Sequence, residues 1–281
     1  MLHQPDTFDD ALALRTAEPE ALVVAGGTGV LPALTNGTLR PPALLDLSRV
    51  ADRAGAERDG DALRLGPGTT YTDVLERHAQ ALPGLALAAR TVASRQVRNR
   101  GTLAGALVLA DPSGDVLAAL VAAGATVELR SVHGAREVLA EDFIAAPGCC
   151  VLGARELVAG LQVPVARGPV AYAKAGARNA MARAVCGVAV ALDPAARRVS
   201  AGIVGAHPTA VRPVAAERHA SALEWDAPLP DEEARAFGAR AAATLRPVAD
   251  ARGSAEYRRH VASVLARRAL ARAWEELPRW G

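Results

Sequence analysis

Residues 23–34, VVAGGTGVLPAL, decide how the start of the chain folds. Two valines are followed by the glycine-rich run AGGTG at residues 25–29 and then by an apolar stretch. This order predicts a strand, a tight glycine turn and the start of a helix. Turns of this kind bind phosphate when their backbone N–H groups converge on it. Taken alone, the run fits a purely structural turn equally well.

The usual phosphate-binding and nucleophile motifs do not account for this turn. Pro32 stands where a dinucleotide-binding GxGxxG motif needs its third glycine, which packs the helix on the strand. A Walker A loop needs Gly-Lys-Ser/Thr, and the single lysine of the chain, Lys174, follows alanine. The GxSxG elbow of the α/β-hydrolases is also missing from the sequence.

A second glycine-rich segment lies between two apolar stretches. Residues 93–107 read ASRQVRNRGTLAGAL, and residues 110–115 read ADPSGD. Long irregular segments inside a compact domain are usually functional. The N–H groups of the run from Gly101 to Gly105 are suited to an anion, and the Asp115 carboxylate is suited to sugar hydroxyls. Two glycine loops from two subdomains would then hold one pyrophosphate between them.

Composition narrows the class of protein. The 281 residues are 51% apolar and 3% aromatic with a formal charge of +2, which predicts two or three compact units and no dedicated nucleic-acid partner. No apolar run is long enough to span a membrane, and the acidic N-terminal region lacks a signal pattern, so we expect a cytoplasmic protein without membrane insertion. Three cysteines and scattered histidines predict buried thiols and no metal site.

Local patterns predict a chain of helices and strands with two boundaries. Polar residues 54–61 and the pair Gly168–Pro169 separate three domains, at 1–55, 56–167 and 168–281. Residues 94–115 are expected to be irregular. The predicted helices cover 6–18, a segment from Thr72, 83–93, 116–123, 231–245 and 254–270, and the predicted strands cover 21–25, 43–47, 63–65, 126–130, 136–140, 170–174, 185–192 and 198–204.

Several ordered motifs resemble one protein family. The first loop is similar to the family's A-G-G-T-x-L-L loop, and the second is similar to Q-I-R-N-x-G-T-I-G-G-N followed by A-D-P-x-x-D. LLDLSR at 44–49, AYAKAGAR at 171–178 and the helix from Ser254 to Leu270 extend the likeness along most of the chain. These motifs belong to the FAD-binding medium subunits of molybdenum hydroxylases, of the carbon monoxide dehydrogenase and xanthine dehydrogenase type.

The resemblance implies a fold, a cofactor and a site. The fold is the vanillyl-alcohol-oxidase type, with two α+β FAD-binding subdomains and a C-terminal α+β domain of a small antiparallel sheet and helices. The cofactor is FAD, held between the two loops, with Asp115 at its ribityl or pyrophosphate-proximal part and Lys174 near the flavin edge. No catalytic residue and no metal ligand is expected. The implied cofactor-binding residues are Val24, Ala25, Gly26, Gly27, Thr28, Gly29, Val30, Leu31, Thr102, Leu103, Ala104, Gly105, Ala106, Asp115 and Lys174.

The resemblance also implies a role in electron transfer. Such a subunit takes electrons from an iron–sulfur (2Fe-2S) small subunit and passes them through FAD to an external acceptor. A separate large subunit oxidises the substrate at its molybdenum cofactor. Two alternatives stay open. Ala104, Ala106 and Ala182 depart from the family pattern, which favours a flavin-free assembly subunit of such a complex. The wider fold also includes stand-alone FAD oxidoreductases.

Overall fold

The computed structural model describes residues 1–51 and 53–280. Asp52 and Gly281, which fall in the first and third predicted domains, lie outside the described residues. The strands are β1 (Leu2–His3), β2 (Leu22–Val24), β3 (Leu44–Asp46), β4 (Ala56–Asp59), β5 (Ala62–Leu65), β6 (Thr126–Ser131), β7 (Gly134–Leu139), β8 (Ile144–Ala146), β9 (Cys149–Cys150), β10 (Leu157–Pro164), β11 (Val170–Gly176), β12 (Ala184–Asp193) and β13 (Arg198–Val204).

The helices contribute most of the remaining regular structure. They are α1 (Phe8–Ala17), α2 (Leu31–Thr35), α3 (Tyr71–Arg77), α4 (Pro83–Arg90), α5 (Arg95–Arg98), α6 (Leu103–Leu109), α7 (Asp115–Ala123), α8 (Ala140–Phe143), α9 (Val214–Ser221), α10 (Asp231–Ala243) and α11 (Ala255–Glu275). Two short 3-10 helices cover Leu47–Arg49 and Leu277–Arg279.

The N-terminal part forms a small parallel sheet with β3 between β1 and β2. Thr7 starts α1 by accepting a hydrogen bond from the backbone N–H of Asp10 at 3.1 Å, as its position before an apolar-periodic run predicts. The predicted helix and strands of this part are confirmed. Its core is small, and its buried members are Ala11, Leu12, Ala21, Ala43, Leu45, Leu47, Val50 and, from β10, Leu157.

The second part is built on a five-stranded antiparallel sheet in the order β4-β5-β10-β6-β7. Its central strand, β10, pairs with β5 and β6, which lie far away along the chain. The sequence patterns did not predict β10. The predicted irregular stretch 94–115 is also partly wrong, because Ser94 and Thr102 each accept a hydrogen bond from a backbone N–H three residues later and start the short helices α5 and α6.

The C-terminal part has a three-stranded antiparallel sheet in the order β11-β12-β13. Helix α7 of the second part packs on one face, and α9, α10 and α11 share a core with the strands. Strand β12 is buried along nearly its whole length, which fits its continuous apolar sequence. Gly202 permits the approach of α7, since a Cβ atom there would lie 2.2 Å from the carbonyl oxygen of Ala118.

The cysteines differ in environment from the prediction of three buried thiols. Cys186 is fully buried in β12, and burial raises the pKa of its thiol to about 12. Cys149 is exposed and Cys150 is half-buried, because β9 lies at the surface as one strand of a two-stranded hairpin. In residues 1–51 and 53–280, no group of three or more His, Cys, Asp or Glu side chains is arranged to hold a metal ion. None of the helices in these ranges is both long and apolar enough to span a membrane.

The buried carboxylate of Glu217 generates a stability prediction. It accepts hydrogen bonds from the backbone N–H of Ala201 at 2.7 Å and from Arg212 at 2.8 Å, so it joins α9 to β13. Glu217→Ala would leave both donors without this acceptor, and we expect the free energy of unfolding to fall by about 3 kcal/mol. Urea unfolding followed by tryptophan fluorescence measures it, since all three tryptophans (Trp225, Trp274 and Trp280) lie in the C-terminal part.

The control is Arg235→Ala, which breaks an exposed pair with Asp231 on α10. Exposed ion pairs contribute little to stability, so the free energy of unfolding of this variant is expected to fall by less than about 1 kcal/mol. Equal losses for the two variants would contradict the prediction.

Candidate functional site

The first glycine loop connects β2 to α2 as a tight turn. The carbonyl oxygen of Gly27 accepts hydrogen bonds from the backbone N–H groups of Val30 at 3.2 Å and Leu31 at 2.9 Å. Gly27 has φ +76°, a conformation that favours glycine. Pro32 lies in the first turn of α2, where its missing N–H is not needed. The predicted strand, turn and helix start are therefore confirmed.

This loop offers free backbone donors to an anion. Residues 26–29 belong to no strand. Within the described part of the chain, their N–H groups have no backbone or side-chain acceptor. Gly26 is half-buried and Gly27 is buried, so the exposed part of the turn is Thr28 and Gly29. Unpaired N–H groups on a glycine-rich turn are donors suited to a pyrophosphate.

The second glycine loop enters α6 through Thr102, whose hydroxyl oxygen accepts the backbone N–H of Gly105 at 3.0 Å. Leu103 and Ala104 point into the core, whereas Gly105 is exposed and Ala106 is half-buried. The Cβ of Ala104, where the family has glycine, therefore packs in the core of the second part. Arg98 orders the preceding segment by donating to the carbonyl oxygens of Val92 and Ala93.

The two loops, which lie about 75 residues apart in the chain, meet in space. A Cβ atom on Gly26 would lie 1.8 Å from the carbonyl oxygen of Arg100 and 3.2 Å from the Cα of Gly101. On Gly29 it would lie 3.3 Å from the side chain of Leu109, at the end of α6. Close backbone contact between the loops is therefore possible only with glycine at position 26.

Apolar side chains are exposed beside this junction. Leu31 is 50% exposed, and Val108 and Leu109 on α6 are 39% and 42% exposed. A Cβ atom on Gly27 would meet Leu31 and one on Gly29 would meet Leu109, so these side chains border the first loop. A cavity of about 180 Å³ opens between the first loop, Asp46 and Arg100. Free N–H groups next to exposed apolar surface fit a cofactor with a pyrophosphate and flat rings, as FAD has.

Asp115 and Lys174, predicted from separate segments, are brought together. Asp115 begins α7, and its Oδ2 accepts a hydrogen bond from Nζ of Lys174 at 2.6 Å. Its Oδ1 accepts a hydrogen bond from the hydroxyl of Tyr172 at 2.6 Å. The two charged side chains are 7% and 11% exposed. The lysine also donates to the carbonyl oxygen of Thr91 at 3.3 Å.

Tyr172 is the member of this cluster that sequence reasoning did not identify. Burial, together with the negative charge of Asp115, raises the pKa of its phenol well above the usual value, so the hydroxyl remains a donor. Tyr172 and Lys174 are two residues apart on β11, so they lie on the same face of the sheet. The two-residue spacing within one predicted strand is the sequence signal that identifies Tyr172 as a neighbour of Lys174.

A larger cavity lies elsewhere and contains none of the predicted cofactor-binding residues. It measures about 550 Å³ and lies between α4, the end of α7 and the C-terminal sheet. Its lining includes Gly84, Ala122, Val170, Ser200 and Arg212. This cavity is therefore not part of the candidate site.

Comparison with known proteins identifies the family of this chain. Residues 1–166 match the family described as the FAD binding domain in molybdopterin dehydrogenase. Residues 171–273 match the CO dehydrogenase flavoprotein C-terminal domain. The nicotine 6-hydroxylase medium subunit of Paenarthrobacter nicotinovorans is 32% identical, covering 96% of this chain and 95% of that one. The carbon monoxide dehydrogenase medium chain of Hydrogenophaga pseudoflava is 31% identical, covering 97% and 96%.

A solved structure shows the same fold over almost the whole chain. Carbon monoxide dehydrogenase from Hydrogenophaga pseudoflava superposes with a TM-score of 0.91 and 29% identity, covering 98% of this chain and 97% of that one. The expected α+β architecture of the FAD-binding fold is thereby confirmed. The chain belongs to the FAD-binding subunits of the molybdenum hydroxylases, of the carbon monoxide dehydrogenase and xanthine dehydrogenase type, and is an FAD-dependent oxidoreductase subunit.

Proposed function

We propose that this chain is the electron-transfer subunit of a molybdenum hydroxylase complex. It receives electrons from an iron–sulfur subunit and passes them through FAD to an external acceptor, in the cytoplasm. Substrate oxidation takes place on a separate molybdenum subunit. Support comes from the relatives, which are named as medium subunits or chains of a nicotine 6-hydroxylase and of carbon monoxide dehydrogenases.

The observation that carries the proposal is the meeting of the two glycine loops at Gly26 and Arg100. FAD, when bound, supplies the redox chemistry, so this chain needs no general base or nucleophile of its own. Residues 26–29 bind the pyrophosphate through their free N–H groups. The proposed contacts are Val24, Ala25, Gly26, Gly27, Thr28, Gly29, Val30 and Leu31 from the first loop, and Thr102, Leu103, Ala104, Gly105 and Ala106 from the second.

The Asp115–Lys174 pair sets the charge beside the flavin in this proposal. Lys174 carries a positive charge that favours the added negative charge of a reduced flavin. Oδ2 of Asp115 accepts a hydrogen bond from Nζ of Lys174 at 2.6 Å, and the carboxylate balances the charge of the lysine. Because both carboxylate oxygens already accept hydrogen bonds from Lys174 and Tyr172, the main task we assign to Asp115 is to orient Lys174.

A visible absorption spectrum tests flavin retention directly. The purified chain, and the complex with its co-purified partners, would be scanned before and after addition of FAD and desalting. We expect flavin bands that survive desalting and bleach when a reduced iron–sulfur partner is added. A folded complex without flavin would instead support the alternative of an assembly subunit.

Gly26→Ala is predicted to weaken FAD binding. The new Cβ atom would lie 1.8 Å from the carbonyl oxygen of Arg100, so the loops must separate. We expect the Kd for FAD, measured by quenching of flavin fluorescence, to rise at least about tenfold, which corresponds to about 1.4 kcal/mol. The control is Gly84→Ala on α4, where a Cβ atom would meet only ordinary contacts at 3.7 Å or more. An unchanged Kd for Gly26→Ala would count against the proposed site.

Charge variants at the pair test the role of Lys174 through the flavin midpoint potential. Lys174→Met leaves the Asp115 charge unbalanced, so reduction becomes harder and the potential falls. A change of about 1.4 kcal/mol corresponds to about 30 mV for a two-electron couple. Asp115→Asn is expected to raise the potential, and the double variant to return it towards the wild-type value. Spectroelectrochemical titration measures all three, and identical potentials would show that the pair lies away from the flavin.

A further inference from the structure

The turn at residues 111–115, which leads into α7, is held from outside by the C-terminal part. Asp111 forms an ion pair with Arg183 at 3.3 Å. The carbonyl oxygen of Pro112 accepts a hydrogen bond from the backbone N–H of Gly205 at 2.7 Å. Four of the five residues of this turn contact the C-terminal part through a polar group, because Ser113 and Asp115 add their own bonds.

Ser113 receives the longest-range contact of the turn. Its hydroxyl oxygen accepts a hydrogen bond from Nη1 of Arg252 at 2.9 Å, across 139 residues of sequence. Ser113 is buried, so water is a poor substitute for this donor. Arg252 is fixed in turn by Asp250, which accepts its Nε at 3.0 Å and its Nη2 at 2.7 Å.

The guanidinium group of one buried arginine supports the contacts made to Pro112 and to Ser113. Arg258, near the start of α11, is 2% exposed. It donates to Asp250, which fixes Arg252, and to the carbonyl oxygen of Gly205, whose N–H holds Pro112. A third bond reaches the carbonyl oxygen of Val185 at 3.1 Å. Two series of hydrogen bonds therefore lead from this one side chain to adjacent residues of the turn, Pro112 and Ser113.

The turn is entered through a residue with an unfavourable backbone conformation. Ala110 has φ +48°, a left-handed conformation that is unfavourable for a residue with a Cβ atom. Such conformations persist when the surrounding structure over-determines them. The bonds within the turn are local, from the N–H of Ser113 to Asp111 Oδ1 and from the N–H of Gly114 to the Asp111 carbonyl oxygen.

We propose that Arg252 and Arg258 are positioning residues for FAD: through Ser113 and Pro112 they fix the turn 111–115 and hence the Asp115–Lys174 pair. This inference rests on the proposed function, in which that pair lies beside the flavin. It assigns to the C-terminal part an effect on cofactor affinity that is transmitted through the turn 111–115. Neither arginine contacts FAD in this proposal.

The test combines hydrogen exchange with FAD binding in the full-length chain. Arg252→Ala is expected to increase amide exchange in the peptide covering 111–117 at least threefold without FAD, and to raise the Kd for FAD roughly tenfold. Where the chain retains flavin only in its complex, retained flavin per chain replaces the Kd. Arg235→Ala is the matched control, since Arg235 makes an exposed pair on α10 away from the turn.

Two further variants separate positioning from a general loss of stability. Ser113→Ala removes only the acceptor, and the double variant with Arg252→Ala is expected to bind FAD no more weakly than Arg252→Ala alone. Arg252→Lys is expected to recover part of the affinity, because an ammonium group can still donate to Ser113 or Asp250.

The outcomes are distinct. Unchanged exchange at 111–117 in Arg252→Ala, or additive effects in the double variant, would overturn the proposal. Increased exchange with an unchanged FAD affinity would also overturn it, since the arginines would then be structural only. If Gly26→Ala too leaves the affinity unchanged, the proposed FAD site itself is wrong; if Gly26→Ala weakens binding and Arg252→Ala does not, only the positioning role fails.

Discussion

The hydrogen bonds of the Asp115 carboxylate with Lys174 and Tyr172 are the constraint on which the arrangement of the second and third parts depends. A carboxylate and an ammonium group lose their hydration when they are buried, and that loss is offset only when each charge finds its partner at close range. Here both oxygens of Asp115 have donors at 2.6 Å, contributed by one strand of the C-terminal sheet. The pairing therefore fixes the first residue of α7 against β11, while the rest of the helix packs on β12 and β13.

Helix α7 could not serve as an ordinary surface helix. Residues 115–122 are buried without interruption, because the helix lies between the core of the second part and the C-terminal sheet. A helix that is apolar on all sides needs cover on all sides. Gly202 provides part of that cover by letting β13 approach the backbone at Ala118. The first residue of α7, Asp115, belongs to the charge pair. The apolar remainder of the helix forms the contact between the second and third parts. The same helix therefore contributes to the candidate site and to the interface.

Sequence patterns predicted the elements that can be identified from neighbouring residues alone. The strand and glycine turn before Leu31, the helix over 116–123 and the meander of β11 to β13 all have clear local signals and are confirmed. Strand β10 has partners on β5 and β6 at long sequence separation, and no local pattern shows such pairing. Helices α5 and α6 are too short for a periodicity argument, although Ser94 and Thr102 mark where each begins. The exposed position of Cys149 follows from the placement of its hairpin, which is a tertiary property.

The candidate site was predictable as a set of loops but not as a network. Motif likeness identified Asp115 and Lys174 separately, whereas their bond and the role of Tyr172 depend on the placement of α7 against β11. The same holds for Arg252 and Arg258, which lie far from any glycine motif. The proposed site draws on residues 24–31, 102–106, 111–115 and 172–174, which come from three parts of the chain and meet only when these are folded together. A ligand that binds only this state stabilises the whole arrangement, so cofactor binding and docking of the C-terminal part are thermodynamically linked.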